Sequence, residues 1–131
     1  MYQFNPYSIP PLITSVLLAI FGCFIFFRNK KSIVNISFAL LSFSACIWQF
    51  GYFMAYLSID QKTASYWVKV VYIGVVFLPT TFYHFIINFL DLKQYKKIVP
   101  FGYIVSGIFS FLTIFTNYFI DGVYKYFWGY Y

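Results

Sequence analysis

Residues 66–97 read YWVKVVYIGVVFLPTTFYHFIINFLDLKQYKK. The first 25, Tyr66 to Leu90, carry one formal charge, Lys69, and Lys93, Lys96 and Lys97 follow at once. About 20 apolar residues suffice to cross the hydrocarbon core of a bilayer as a helix. A basic cluster directly after such a run marks its cytoplasmic end. The stretch also holds the chain's single histidine, His84.

Working outward, three more runs of this kind appear: Ile9 to Phe27, Ile33 to Leu57 and Ile98 to Ile120, with 19, 25 and 23 residues. Each can span with some tilt. None alternates polar and apolar residues over about ten positions, so membrane strands are not expected. Pro10 and Pro11 suit the first turn of a helix, where the missing N–H is unneeded. The opening residues lack a basic n-region and a small-residue cleavage site, so no cleavable signal is expected.

Composition agrees with this reading. Of 131 residues, 62% are hydrophobic, 27% aromatic and 9% charged, against about 25% charged in a soluble domain. Three acidic and nine basic residues cannot coat a folded surface in water, whereas lipid solvates an apolar exterior. The net charge of +6 is not a nucleic-acid footprint. Six of the basic residues form two clusters, Arg28, Lys30, Lys31 and Lys93, Lys96, Lys97, each between apolar runs. Placing both clusters in the cytoplasm puts the N-terminus, the SIDQKTAS connection and the C-terminus outside. Lys69 then lies near the outer interface, within reach of water by snorkelling. Tyr7, Tyr66, Trp67, Tyr95 and Trp128 suit interfacial belts, and WGYY at the end suits the membrane surface.

Small and polar residues recur at helical spacing, which lets helices approach closely. The first run carries Ser15, Ala19, Gly22 and Cys23, and the second Asn35, Ala39, Ser42, Cys46 and Gln49. The fourth carries Gly102, Ser106, Ser110, Thr113 and Asn117. In the third, Thr80, His84, Asn88 and Asp91 fall on one face, and Pro79 removes a backbone hydrogen bond, so a bend or a freed carbonyl near residue 75 is expected. Cys23 and Cys46 differ in depth by roughly 10 Å at helical rise, too far for a disulfide.

His84 admits four roles. Metal binding lacks a second ligand at ligand spacing, apart from the interfacial Asp91. Catalysis lacks a Ser-His-Asp or Cys-His constellation. Proton sensing would use an imidazole that titrates near neutrality. The remaining role is a helix-contact hydrogen bond, with Gln49, Asn35 or Ser106 as partner. There is no phosphate loop, no CxxC and no catalytic carboxylate pair, and NIS at Asn35 lies at the cytoplasmic end of a span, out of reach of glycosylation. No cofactor is expected.

The runs NPYSIPPLITSVLLAIFGCFIFFRNKKS, FALLSFSACIWQFGYFMAYL, YWVKVVYIGVVFLPTTFYHFIINFL and GVYKYFWGYY resemble the seven-helix N-terminal sensor region of bacterial histidine kinases. The resemblance covers essentially the whole chain in order, through NPY…PPL, YIG…FLP…HF and the closing aromatic-glycine cluster. It implies an input module in the bacterial plasma membrane, itself without catalytic activity. The remaining helices and a cytoplasmic output domain, a kinase or alternatively a diguanylate cyclase, would follow, and the parent would be a homodimer. With the C-terminus outside, an odd number of further spans would precede that domain, and three would make seven. His84 is not expected to be the phosphoacceptor, since that histidine lies on a cytosolic hairpin, usually with an acidic neighbour, and Phe85 follows His84.

The expectation is therefore an all-α integral membrane protein with four transmembrane helices, N-out and C-out, as part of a seven-helix bundle. Its partners are the lipid bilayer and its own remaining helices, with no nucleic acid. A complete small membrane subunit or scaffold, and half of a transporter, are the alternative functions.

Overall fold

The computed structural model describes residues 2–117, 120 and 122–130. Four helices follow in order: α1 (Ile9–Arg28), α2 (Ile33–Leu57), α3 (Gln61–Phe89) and α4 (Val99–Phe115). All four are long and apolar enough to cross a membrane, counting the 3-10 turns Pro6–Ser8 and Lys93–Ile98 that lead into α1 and α4. A two-stranded antiparallel hairpin, β1 (Lys125–Tyr126) and β2 (Gly129–Tyr130), closes the chain.

Local chemistry sets the helix ends. Ser32 caps α2 by accepting from the Asn35 N–H at 3.4 Å, and Asp60 caps α3 by accepting from the Thr63 N–H at 2.8 Å. The Asp60 cap explains why α3 begins at Gln61, five residues ahead of the apolar run. A capped polar turn can continue the helix beyond the hydrocarbon core. At the other end of α3, the Leu92 N–H bonds Ile87 O at 2.9 Å and the Asp91 N–H bonds Asn88 O at 3.3 Å. This pair of bonds is a Schellman closure, with Asp91 in the left-handed region at φ 48°. Asp91 therefore leaves the helical face that Thr80, His84 and Asn88 share. It lies exposed, 3.8 Å from Lys93 and 3.5 Å from Lys96. Helix α4 stops at Phe115, short of the expected Ile120, where the Thr116 N–H closes on Leu112 O at 2.9 Å.

Each helix packs chiefly on its neighbours in sequence, giving the spatial order α1, α2, α3, α4. Burial is inverted relative to a water-soluble bundle. Ser37 and Ala55 are 0% exposed, whereas Phe24, Phe101 and Phe115 are 61–70% exposed. Small residues line the helix contacts and large apolar ones face outward, as lipid requires. Many buried hydroxyls are satisfied within their own helix: Ser37 bonds Ile33 O, Ser44 bonds Leu40 O and Thr81 bonds Phe77 O, all at 2.9 Å.

The helix contacts differ in kind. A methyl placed on Gly74 of α3 would lie 2.6 Å from Trp48 N and 2.8 Å from Ser44 O on α2, so there backbone meets backbone. Between α3 and α4 the three atoms nearest the corresponding methyl on Gly102 all belong to the Thr80 side chain, the first at 3.0 Å. The central pair is locked by main chain, and α4 is held through side chains.

Both termini meet at one end of the bundle. Gln3 N–H bonds Leu57 O at 2.8 Å, and the Asn5 amide donates to Tyr56 O at 3.1 Å and Trp128 O at 2.7 Å. The Tyr130 hydroxyl donates to Ile59 O at 2.9 Å. Trp128, Gly129 and Tyr130 thus form a strapped cap over the end of α2; Tyr131 lies outside the described residues. Beneath the cap, Ala55, Ala64, Val68, Ile120, Val123 and Tyr130 form the one cluster of buried apolar residues among those described.

Candidate functional site

The polar face of α3 meets α4 in the half of the bundle away from the termini. Ser106 donates to Val76 O at 3.1 Å. Its single hydroxyl proton is then committed, so the Thr80 hydroxyl must be the donor in the 2.8 Å Thr80–Ser106 contact. Pro79 lies inside α3 and withdraws the N–H that Val75 O would otherwise receive. The carbonyl taken by Ser106 is that of Val76, next to the one whose helical donor Pro79 removes.

One turn further, His84 Nδ1 lies 3.0 Å from the Tyr103 hydroxyl of α4, with the two rings edge-to-face at 5.7 Å. Phenol and imidazole each offer a donor and an acceptor, so the bond forms with either tautomer. Asn88, buried, turns its amide back to His84 O at 2.9 Å and fixes the backbone behind the imidazole. The partner of His84 is thus Tyr103, none of the three expected. Tyr103 was missed because a tyrosine in an aromatic-rich span looks like packing. Its offset of one residue from Gly102 was the available signal, since Gly102 brings α4 close to Thr80.

The remaining expected residues lie elsewhere. Asn35 donates to Ile25 O at 2.9 Å, tying α2 to α1 near their connection. Gln49 is half-buried and makes no cross-helix hydrogen bond among the described residues. Arg28, Lys30 and Lys31 sit at the α1–α2 connection, and Lys93, Lys96 and Lys97 in the 3-10 turn before α4. Antiparallel neighbours bring both clusters to the end opposite the termini. Lys30 lies over the Phe27 ring at 4.8 Å. Cys23 and Cys46 are free thiols. Among the described residues no group of three metal-ligating side chains occurs.

Lys69 has specific partners at the end of the bundle that carries the termini. It reaches sideways to the end of α4, donating to Ile114 O at 3.3 Å and Asn117 Oδ1 at 3.1 Å. The last carbonyls of a helix have no intrahelical partner, and a lysine is a natural one. Two buried polar atoms, Trp48 Nε1 and Ser110 Oγ, have no partner among the described residues.

The α3–α4 contact is thus made of side-chain hydrogen bonds joining two helices, one containing a proline. Neither a curated protein nor a solved structure matches the chain significantly. A family model described as the N-terminal 7TM region of histidine kinase matches residues 11–130. Four membrane-length helices and a match over nearly the whole chain make this a multi-pass membrane protein that belongs to the family of N-terminal seven-transmembrane regions of histidine kinases.

Proposed function

We propose that the chain is the membrane-embedded input region of a bacterial sensor histidine kinase, relaying a signal to a cytoplasmic kinase. The family match over residues 11–130 carries this reading. Its four helices contribute to a seven-helix bundle in the plasma membrane, with the lysine clusters in the cytoplasm and the strapped termini outside. The α3–α4 contact supports a mechanism. Thr80, Ser106, His84 and Tyr103 hold α4 by exchangeable side-chain hydrogen bonds, whereas α2 and α3 are locked backbone to backbone. A signal that favours one of two α4 packings would move the basic turn Lys93–Ile98 relative to the fixed pair.

Membrane vesicles from cells expressing the full-length gene product, supplied with γ-labelled ATP, test the reading. Acid-labile, base-stable phosphate on the protein is expected, with its level altered by Ser106→Ala. Absence of phosphohistidine in the full-length product removes the kinase assignment. Cysteines introduced at Gln61 and Gln94 test orientation: an impermeant thiol reagent should label Gln61→Cys from outside and leave Gln94→Cys untouched.

A further inference from the structure

The end of the bundle that carries the termini contains a cavity of about 610 Å³ between the first turns of α3 and the segment after α4. That volume lies within the range of small-molecule sites, about 300–1,000 Å³. Gln61, Lys62, Ser65 and Lys69 line it from α3, with Asn117 and Gly122 opposite. Gln61 shapes the far wall by donating to Val123 O at 3.1 Å. Gly122 takes φ +139°, a backbone conformation that side chains rarely adopt, while a methyl there would meet Gln61 Nε2 at an ordinary 3.6 Å.

Two lysines line this cavity. Lys62 and Lys69 are seven residues apart, two helical turns on the same side of α3. Both acceptors of Lys69, Ile114 O and Asn117 Oδ1, are neutral, and an ammonium has a third proton to give. Lys62 makes no ion pair or hydrogen bond among the described residues. No acidic side chain lines the cavity among those residues. Asp60, which caps α3 by accepting from the Thr63 N–H at 2.8 Å, is not among the lining residues.

We propose that this cavity binds an oxyanion, a phosphate or carboxylate group, with Lys62 and the third proton of Lys69 as charged donors and the Ser65 hydroxyl as a neutral one. The group belongs either to a free solute or to an anionic lipid headgroup. Lys69 also grips the end of α4, so occupancy fastens α4 to α3 at this end, while Thr80, Ser106 and Tyr103 fasten it at the other. This deepens the sensor reading and rests on it for the consequence of binding, not for binding itself.

The test uses the full chain in nanodiscs at low ionic strength. With phosphatidylcholine alone, inorganic phosphate and citrate are titrated calorimetrically. With added phosphatidylglycerol, native mass spectrometry counts the retained lipid. One saturable site is expected, weakened about ten-fold or more by Lys62→Gln, preserved by Lys62→Arg and unmoved by Lys125→Gln at the same end. Binding of phosphate or citrate assigns the site to a free anion. Retention of phosphatidylglycerol, lost in Lys62→Gln and without response to the solutes, assigns it to a headgroup. Binding of neither by the wild type, or equal binding by Lys62→Gln, overturns the proposal. The readout is independent of any phosphorylation, so it is decided whether or not the parent proves to be a kinase.

Discussion

Replacing Gly74 by alanine should separate α2 from α3. The added methyl would lie 2.6 Å from Trp48 N, 2.8 Å from Ser44 O and 2.9 Å from Trp48 Cα, about 0.8 Å inside ordinary contact at 3.4 Å for the closest pair. All three atoms are main chain, so no rotamer change relieves the clash and the helices must move apart. Overpacking of this kind costs about 1–3 kcal/mol. Alanine gains back up to about 1 kcal/mol of helix propensity, which leaves a net loss of up to about 2 kcal/mol, and a deficit of about 1–3 kcal/mol against a glycine-to-alanine change that meets no clash. Gly107→Ala is the control, because a methyl there meets nothing within 4 Å and should be neutral or stabilising. Gly102→Ala falls between, since Thr80 at 3.0 Å can rotate at the expense of its bond to Ser106. The assay is reversible unfolding in mixed micelles, followed by circular dichroism, with cysteine crosslinking between α2 and α3 as a geometric check. The expected stability order is Gly107→Ala, Gly102→Ala, Gly74→Ala. Equal stability of Gly74→Ala and Gly107→Ala would show that α2 and α3 are not in backbone contact, and the rigid-pair argument would fail with it.

Further outcomes follow from single contacts. Tyr103→Phe should cost about 0.6 kcal/mol, the average for an interhelical hydrogen bond in a membrane. A double-mutant cycle with His84→Leu should show coupling of that size, and strict additivity would remove the bond. Ser110→Ala deletes a buried hydroxyl without a partner among the described residues and should raise the melting temperature. Asn5→Ala loses both carbonyl contacts at the cap, so amide exchange at Lys125 to Tyr130 should quicken while α2 stays protected; unchanged exchange would mean the hairpin is held by other contacts. The Thr63 hydroxyl and backbone N–H hold the Asp60 carboxyl down from its ordinary 3.8 to about 2. A depressed carboxyl stabilises above its unfolded pKa and loses that contribution as pH falls through the folded value. Asp60→Asn, still able to cap, should abolish the acid-dependent fraying of α3 between about pH 4 and about pH 2. Exchange at the amides of residues 62–65 measures it.

The helices were legible in the sequence because crossing a bilayer is a demand on composition, local in the chain. Twenty or so apolar residues at a time, and the basic clusters that follow α1 and α3, state it directly. The all-α membrane fold and the family were readable from the same runs. The extent of α3 was less so, since Gln61 to Ser65 are polar and hydropathy does not register a helix that emerges into water.

Partnership was decided only in three dimensions. Ser37, Ser44, Ser106 and Ser110 look alike in sequence, yet the first two bond their own helix, Ser106 reaches across to Val76, and Ser110 finds no partner among the described residues. Which outcome a hydroxyl meets depends on the rotation of its helix and on what stands opposite, and neither is encoded locally. The lysines divide in the same way. Lys93, Lys96 and Lys97 act through position along the chain, and the sequence alone placed them at one end of the bundle. Lys69 acts through what it reaches, and only the packing of α4 on α3 put the bare carbonyl of Ile114 within its grasp. Hydropathy adds up along a chain and survives being read in one dimension. A hydrogen bond joins two particular atoms, and residues 30 positions apart, such as Val76 and Ser106, meet only once the helices have packed.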